Sequence, residues 1–305
     1  MHKTRIEYNS QSDQQKMIAY FNWPTNAKIL VFILHGMVEH QSRYASLVKY
    51  LNDANIATLS VDHRGHGESL YDGKIKGHFA DDDGWQKNVD DLHGLLHTVL
   101  SQSPFKVVMF GHSMGSLLAR SYLKKYEADI DALYLSGSPA LNPMSKMGIG
   151  LAKTIKLFFG KMHNSPLLTK LSLGSFNKQI DHPKTFWDWL SIDQTNVQAY
   201  IQDPLCGFDL TAQGFIDMLE GVDEVYSSSG WQINKPNLPI KFESGKEDPC
   251  CLPGGIEKAA DVLKQIGYQN VEFNYIDGCR HEIYNDIKQA ELRVTLVQWI
   301  SNAIK

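Results

Sequence analysis

The residues with evident chemistry in this 305-residue chain gather around Ser113, in Gly111-His112-Ser113-Met114-Gly115. Before it runs Val107-Val108-Met109-Phe110, short and apolar. After it comes a helical pattern reaching Tyr126, so the serine sits on a tight strand-to-helix turn. A hydroxyl held on such a turn projects above the sheet. A Cβ two residues to either side would collide with neighbouring backbone, and both flanks are glycine. The helix that starts here aims free N–H groups at negative charge developing beside the serine. These are the parts of a nucleophilic acyl transfer.

An activated serine needs a base, and the base needs an acid to fix its tautomer. On a strand–turn–helix frame the expected chain order is serine, then Asp or Glu, then His, each acid or base on a loop after a later strand. Beyond Ser113 the histidines are His163, His182 and His281. The first two fall in a region without strand pattern. His281, in Gly278-Cys279-Arg280-His281-Glu282, lies between an expected strand and the last helix and is the candidate base. For the acid, Ser244-Gly245-Lys246-Glu247-Asp248-Pro249 follows the preceding strand. Asp248, held extended by the proline after it, is the choice, with Glu247 as the alternative. The oxyanion donors are expected to be the backbone N–H groups of Met114 and of Met37, which follows His35-Gly36 at the end of an early strand.

The elements that must position these residues follow from periodicity. Residues 4–9 and 16–23 read as an antiparallel hairpin. Residues 28–34 form a continuous apolar run of the kind buried on both faces of a parallel sheet. Helix 42–52, strand 56–61, the glycine-rich loop 62–69, helix 84–101, the elbow and strand 132–136 come next. That order implies a mostly parallel sheet with helices on both faces. From 139 to 205 no strand alternation appears, and the segments 149–159, 167–176 and 186–190 read as helical. This divides the chain into a first core part, 1–138, a helical cap insertion, 139–205, and a second core part, 206–305. The last part is expected to hold helix 210–227, strand 240–243, helix 255–266, strand 271–275 and helix 283–304. Between 142 and 190 seven lysines face two aspartates, so the insertion is locally +5 in a chain of net charge −4.

That net charge leaves no nucleic-acid footprint, and no apolar run is long enough for a membrane span. The first residues lack an apolar signal region, and four cysteines without metal spacing fit a reducing compartment, so a cytoplasmic setting is expected. No cofactor or metal is expected. His93 and His97 lie four apart on a helix but lack a third ligand in the sequence. His63, Arg64 and His66 are read as knitting the loop under the oxyanion turn, and Glu39 and Arg43 as an ion pair. Cys251, close after Asp248, is read as a buried thiol, with a place near the pocket as the alternative.

Taken together, His35-Gly36-Met37-Val38-Glu39-His40 with Ser42-Arg43-Tyr44, Asp62-His63-Arg64-Gly65-His66-Gly67-Glu68-Ser69, the Gly111–Gly115 pentapeptide, Asp248, His281-Glu282 and Asp203-Pro204-Leu205 resemble the monoacylglycerol lipase/lysophospholipase group of α/β-hydrolases. The resemblance implies the α/β-hydrolase fold and a triad of Ser113, Asp248 and His281, with Met37 and Met114 as oxyanion donors. It also implies a lid that seats one acyl chain, and cleavage of a monoacylglycerol or lysophospholipid ester. The apolar, lysine-bearing insertion offers transient contact with an anionic membrane surface as one reading; the other is that its apolar face packs on the sheet and its lysines are solvated. Two alternatives stand beside this: a general carboxylesterase for short acyl chains, and a non-catalytic binding protein on the same fold.

Overall fold

A computed structural model describes residues 2–141, 143–251 and 254–305. Its strands are β1 (His2–Asn9), β2 (Lys16–Trp23), β3 (Ile29–Leu34), β4 (Ala57–Val61), β5 (Lys106–His112), β6 (Ala132–Ser136), β7 (Ile240–Gly245) and β8 (Val271–Ile276). They form one sheet in the order β1-β2-β4-β3-β5-β6-β7-β8. The opening hairpin pairs Asn9 with Lys16 and joins β4 antiparallel, and every pairing from β4 to β8 is parallel.

Helices α1 (Ala45–Asp53), α2 (Gly84–Leu100), α3 (Met114–Tyr126), α4 (Ser145–Phe159), α5 (Pro166–Leu173), α6 (Gln194–Gln202), α7 (Ala212–Tyr226), α8 (Gly255–Ile266) and α9 (Gln289–Ala303) complete the regular elements. The apolar run of β3 is explained by burial on both sides. Leu30, Phe32 and Leu34 point into a core shared with α2, α3, α7 and α8, while Val31 and Ile33 point into a second core shared with α1 and α9. No described helix is long and apolar enough to cross a membrane.

The expected boundaries shift in several places, α4 beginning at Ser145 rather than 149 among them. The segment 42–52 opens as a 3-10 turn, Gln41–Tyr44, before α1 begins. The segment 186–190 contains only the single turn Asp188–Leu190, because the Asp188 carboxylate takes the Lys184 N–H and the Thr185 hydroxyl and holds an irregular loop. The last helix begins at Gln289, not at 283. Asp286 is buried and accepts from the N–H groups of Arg280, Ile192 and Asp193, so 283–288 becomes a loop latched onto the insertion.

Candidate active site

Ser113 follows β5 and caps α3 with φ 52° and ψ −120°, a conformation most side chains avoid and one that costs on the order of 1–3 kcal/mol. The surroundings hold it there. Its N–H donates to Ser136 O at 2.9 Å on β6, and its carbonyl accepts from the Ser116 N–H at 2.9 Å and the Ser116 hydroxyl at 2.6 Å. A Cβ on Gly115 would stand 2.2 Å from Leu34 O, and one on Gly111 would stand 2.5 Å from Gly115 O. The two glycines allow strand, turn and helix to close around the serine.

The loops after β7 and β8 bring Asp248 and His281 together. His281 Nδ1 lies 2.8 Å from Asp248 Oδ2, with both side chains buried. An ionised carboxylate only accepts, so Nδ1–H donates and Nε2 is left as the basic nitrogen. Glu247 instead is exposed, its backbone N–H on Cys279 O. A Cβ on Gly245 would meet Arg280 O at 2.1 Å, so this glycine lets the two loops touch. Asp248 is braced further by Ser244 Oγ at 2.7 Å, Cys250 N–H at 2.9 Å and Cys251 Sγ at 3.1 Å. Burial alone would raise the Asp248 carboxyl, but the His281 charge and these donors hold it below its ordinary value. Burial pulls His281 down, and the Asp248 charge and bond outweigh it, so the ring titrates above 6.5.

The turn after β3 carries Met37, half-buried, and the start of α3 carries Met114, buried. Among the described residues neither backbone N–H has a protein acceptor. The neighbouring Val38 has φ 51°, rare for a β-branched residue. It is clamped at both ends: its N–H donates to His66 Nε2 at 3.1 Å, and its carbonyl accepts from the Tyr200 hydroxyl and the Gly207 N–H, each at 2.9 Å. His66 Nδ1 donates to Arg64 O at 2.8 Å, and burial pushes this ring down to about 4, so it stays a neutral acceptor for Val38. His63 ties to His35 through both backbone and ring, while Arg64 turns away to Asp91 and Asp13. The sequence places His63 and His66 correctly beneath the turn, but Arg64 points elsewhere, and nothing in the sequence signals Val38's strain.

Glu39 accepts from the Gly36 N–H at 2.5 Å, the Tyr44 hydroxyl at 2.8 Å and Arg43 at 2.6 Å. Arg43 also forks onto Glu282 at 2.5 and 2.7 Å, and Asn196 of α6 donates to Glu282 at 2.7 Å. The Glu39–Arg43 pair is legible in the sequence. Glu282 is 239 positions from Arg43, and no spacing signals that contact.

Ser113, Met37, Met114 and His281 line a cavity of about 530 Å³, closed on the insertion side by Leu173, Phe176, Trp187 and Trp189. The Trp189 ring lies 5.0 Å from that of His281. Cys250, not Cys251, faces the cavity. Cys251 is buried behind the wall, its thiol on Ser138 O and Asp248 and pushed well up by burial. His163 and His182 do not line the cavity. Asp248, Cys250 and His281 place ligand atoms within 4.8 Å of one another, as do His40, Asp203 and Cys206. In each trio a histidine and a carboxylate already share a hydrogen bond, at 2.8 Å for His281–Asp248 and 2.9 Å for His40–Asp203.

This geometry has relatives. Residues 25–288 match the family model Hydrolase_4, described as serine aminopeptidase, S33. The monoacylglycerol lipase of Mycolicibacterium smegmatis is 25% identical over 300 residues, 97% of each chain. The monoglyceride lipase of Homo sapiens is 24% identical over 302 residues, 95% of this chain and 88% of that one. Among solved structures, a highly thermostable carboxyl esterase from Bacillus coagulans in complex with glycerol is 25% identical, with a TM-score of 0.91 over the whole of both chains. With the family model spanning most of its length, the chain belongs to the Hydrolase_4 family and, with its α/β-hydrolase fold, is a monoacylglycerol lipase-like carboxylic ester hydrolase.

Proposed function

We propose that the chain hydrolyses the ester of a single-acyl-chain lipid, a monoacylglycerol or lysophospholipid, through an acyl-enzyme on Ser113. The observation that carries this reading is the buried Asp248–His281 bond at the wall of the cavity that Ser113 also lines. In this mechanism His281 Nε2 takes the Ser113 proton as Oγ attacks the ester carbonyl. The same imidazolium then protonates the departing alcohol, and in the second half it activates water against the acyl-enzyme. Asp248 keeps Nδ1 protonated and stabilises the imidazolium. The N–H groups of Met37 and Met114 receive the oxyanion, each contributing on the order of 3 kcal/mol to the transition state.

The insertion, residues 139–205 between core parts 1–138 and 206–305, acts as a cap whose aromatic and leucine side chains seat the acyl chain. Leu157, Phe158 and Phe159 on its outer surface are exposed, and the surrounding lysines suit transient contact with an anionic membrane surface. A cytoplasmic setting belongs to the same reading, in keeping with four unpaired cysteines.

The test is hydrolysis of p-nitrophenyl esters from C2 to C16 by wild type and Ser113→Ala. A peak at medium or long chains, lost by at least about 10⁴-fold in the variant, supports the reading. A peak at C2–C4 favours a general carboxylesterase, the second reading, which the likeness to the Bacillus coagulans carboxyl esterase supports. Turnover that survives Ser113→Ala rejects both. The pH profile gives a further readout. His281 must be neutral to act as base, and its pKa is raised above 6.5. The acid limb of kcat/KM is therefore expected above pH 6.5, falling about tenfold per pH unit below it; a limb at pH 5 would remove His281 from the role.

A further inference from the structure

We propose that His93, His97 and Asp129 form a divalent transition-metal site, suited to Zn²⁺, that clips α2 to the turn ending α3. His93 and His97 stand one helical turn apart on α2, their ring centroids 4.4 Å apart. Asp129 comes from the 3-10 turn Glu127–Asp129 that follows α3 and supplies the third ligand absent from the local sequence. Asp129 Oδ2 lies 2.8 Å from His93 Nδ1 and Oδ1 lies 3.3 Å from His97 Nε2, and the three residues place ligand atoms within 4.8 Å of one another.

Ligand atoms bonded at about 2.0–2.1 Å to one tetrahedral ion stand about 3.4 Å apart. The His97 Nε2–Asp129 Oδ1 pair already has that spacing, and His93 Nδ1 exchanges its hydrogen bond to Oδ2 for the ion. Neighbouring side chains hold the ligands in place. The Tyr122 hydroxyl donates to Asp129 Oδ2 at 2.7 Å, which leaves Oδ1 for the ion. His93 lies flat on the Tyr126 ring, with centroids 3.9 Å apart and planes 8° from parallel. The side chain of His97 is 50% exposed, so water can reach the fourth position of an open three-ligand site. Two imidazoles and one carboxylate suit Zn²⁺ or its first-row neighbours, whereas Mg²⁺ and Ca²⁺ prefer oxygen ligands throughout. The site belongs to the end of α3 opposite Ser113, and none of its residues lines the cavity.

The test is calorimetric titration of the tag-free protein with ZnCl₂, beside thermal melting. The expected result is one ion per chain and a melting point raised by about 4 °C at a hundredfold excess over the dissociation constant. Binding should weaken at least about tenfold in His97→Ala and about tenfold in Tyr122→Phe, which loses only the hydroxyl that orients Asp129. His97→Gln is a second variant that keeps the helix surface polar, and circular dichroism without metal checks each fold. Ester hydrolysis should be the same with and without the bound ion. The proposal is overturned if Zn²⁺ does not bind, if it binds folded His97→Ala and His97→Gln as tightly as wild type, or if Mg²⁺ displaces it at equal concentration. Zn²⁺ inhibition that persists in both His97 variants would also overturn it, by locating the ion at Asp248, Cys250 and His281.

Discussion

The sheet and the insertion meet at the cavity, and they treat their apolar residues in opposite ways. From Leu30 to Leu34 on β3, and from Val107 to Phe110 on β5, no side chain is more than 1% exposed. On α4, Leu157, Phe158 and Phe159 are 79%, 74% and 67% exposed, and Met147 of α4 and Leu167 and Leu171 of α5 are each more than half exposed. The sheet side is over-determined: the elbow serine, its glycines and the Asp248–His281 pair are each held by several neighbours, so a small change there has nowhere to relax. The outer face of 139–205 makes few demands on its neighbours and leaves apolar side chains exposed. One side holds its atoms in fixed places, and the other leaves apolar side chains exposed.

The sharpest way to break this contrast is to ask whether the core is as closed as its burial suggests. Asp217, on α7 against Gly84 of α2, is buried with Gln213 Nε2 at 2.8 Å, and burial pushes its carboxyl up to about 7. The unfolded chain ionises this group near pH 4, the folded one near 7. Between those values the unfolded state releases a proton that the native state keeps, so native stability falls as pH rises and the full penalty is present above about pH 7. The loss amounts to about 4 kcal/mol. Denaturant unfolding at pH 4 and pH 8 should show wild type losing nearly that much relative to Asp217→Asn. Equal pH dependence in the two proteins would mean that the α2–α7 seam is hydrated and the core side of the contrast is overstated.

A matched pair of glycines sharpens it further. Gly115→Ala puts a methyl 2.2 Å from Leu34 O and 2.6 Å from His35 O, both backbone atoms that cannot swing aside. Destabilisation of about 3 kcal/mol is expected, with loss of ester hydrolysis as the elbow is forced open. Gly150→Ala, inside α4, meets nothing within 4 Å. There alanine should stabilise by about 0.8 kcal/mol through helix propensity and a less flexible unfolded chain. Chemical denaturation of both variants checks the pair. Similar effects at the two positions would erase the distinction between the regions.

Legibility in the sequence follows the same division. The strand order is readable because burial on both faces of a sheet demands unbroken apolar runs such as 28–34. The places of Ser113, Asp248 and His281 in the fold are readable because each lies on a loop after a particular strand, and the flanking glycines report a close approach. Val38 is not: a valine at positive φ looks like any valine, and only His66, Tyr200 and Gly207 reveal what holds it. Glu282 pairs with Arg43 across 239 residues and with Asn196 of α6, contacts that depend on how the insertion packs. The start of the last helix is misread for a similar reason, since Asp286 spends its carboxylate on distant N–H groups of the insertion. The third ligand of the His93–His97 pair is likewise supplied by folding, from a turn 36 residues beyond His93. Local periodicity and turn chemistry carry to the sheet edge, and what is lost is the set of polar contacts between residues far apart in the sequence.

The smallest expected effect falls on the outer face of α4 and tests what that face is for. Phe158→Ser removes a ring that is 74% exposed, so unfolding free energy should change by no more than about 0.5 kcal/mol. Hydrolysis of a short, water-soluble ester should be unchanged as well. Sedimentation with vesicles containing anionic lipid should weaken, and so should hydrolysis of a long-chain ester presented in those vesicles, because the buried ring area and the surrounding lysines act together at such a surface. A stability loss of about 2 kcal/mol or more would instead mean that the ring is covered in solution, as packing against a second copy of the chain would do. Unchanged stability with unchanged vesicle binding would leave the exposed face without a part in lipid contact and confine recognition to the cavity beneath it.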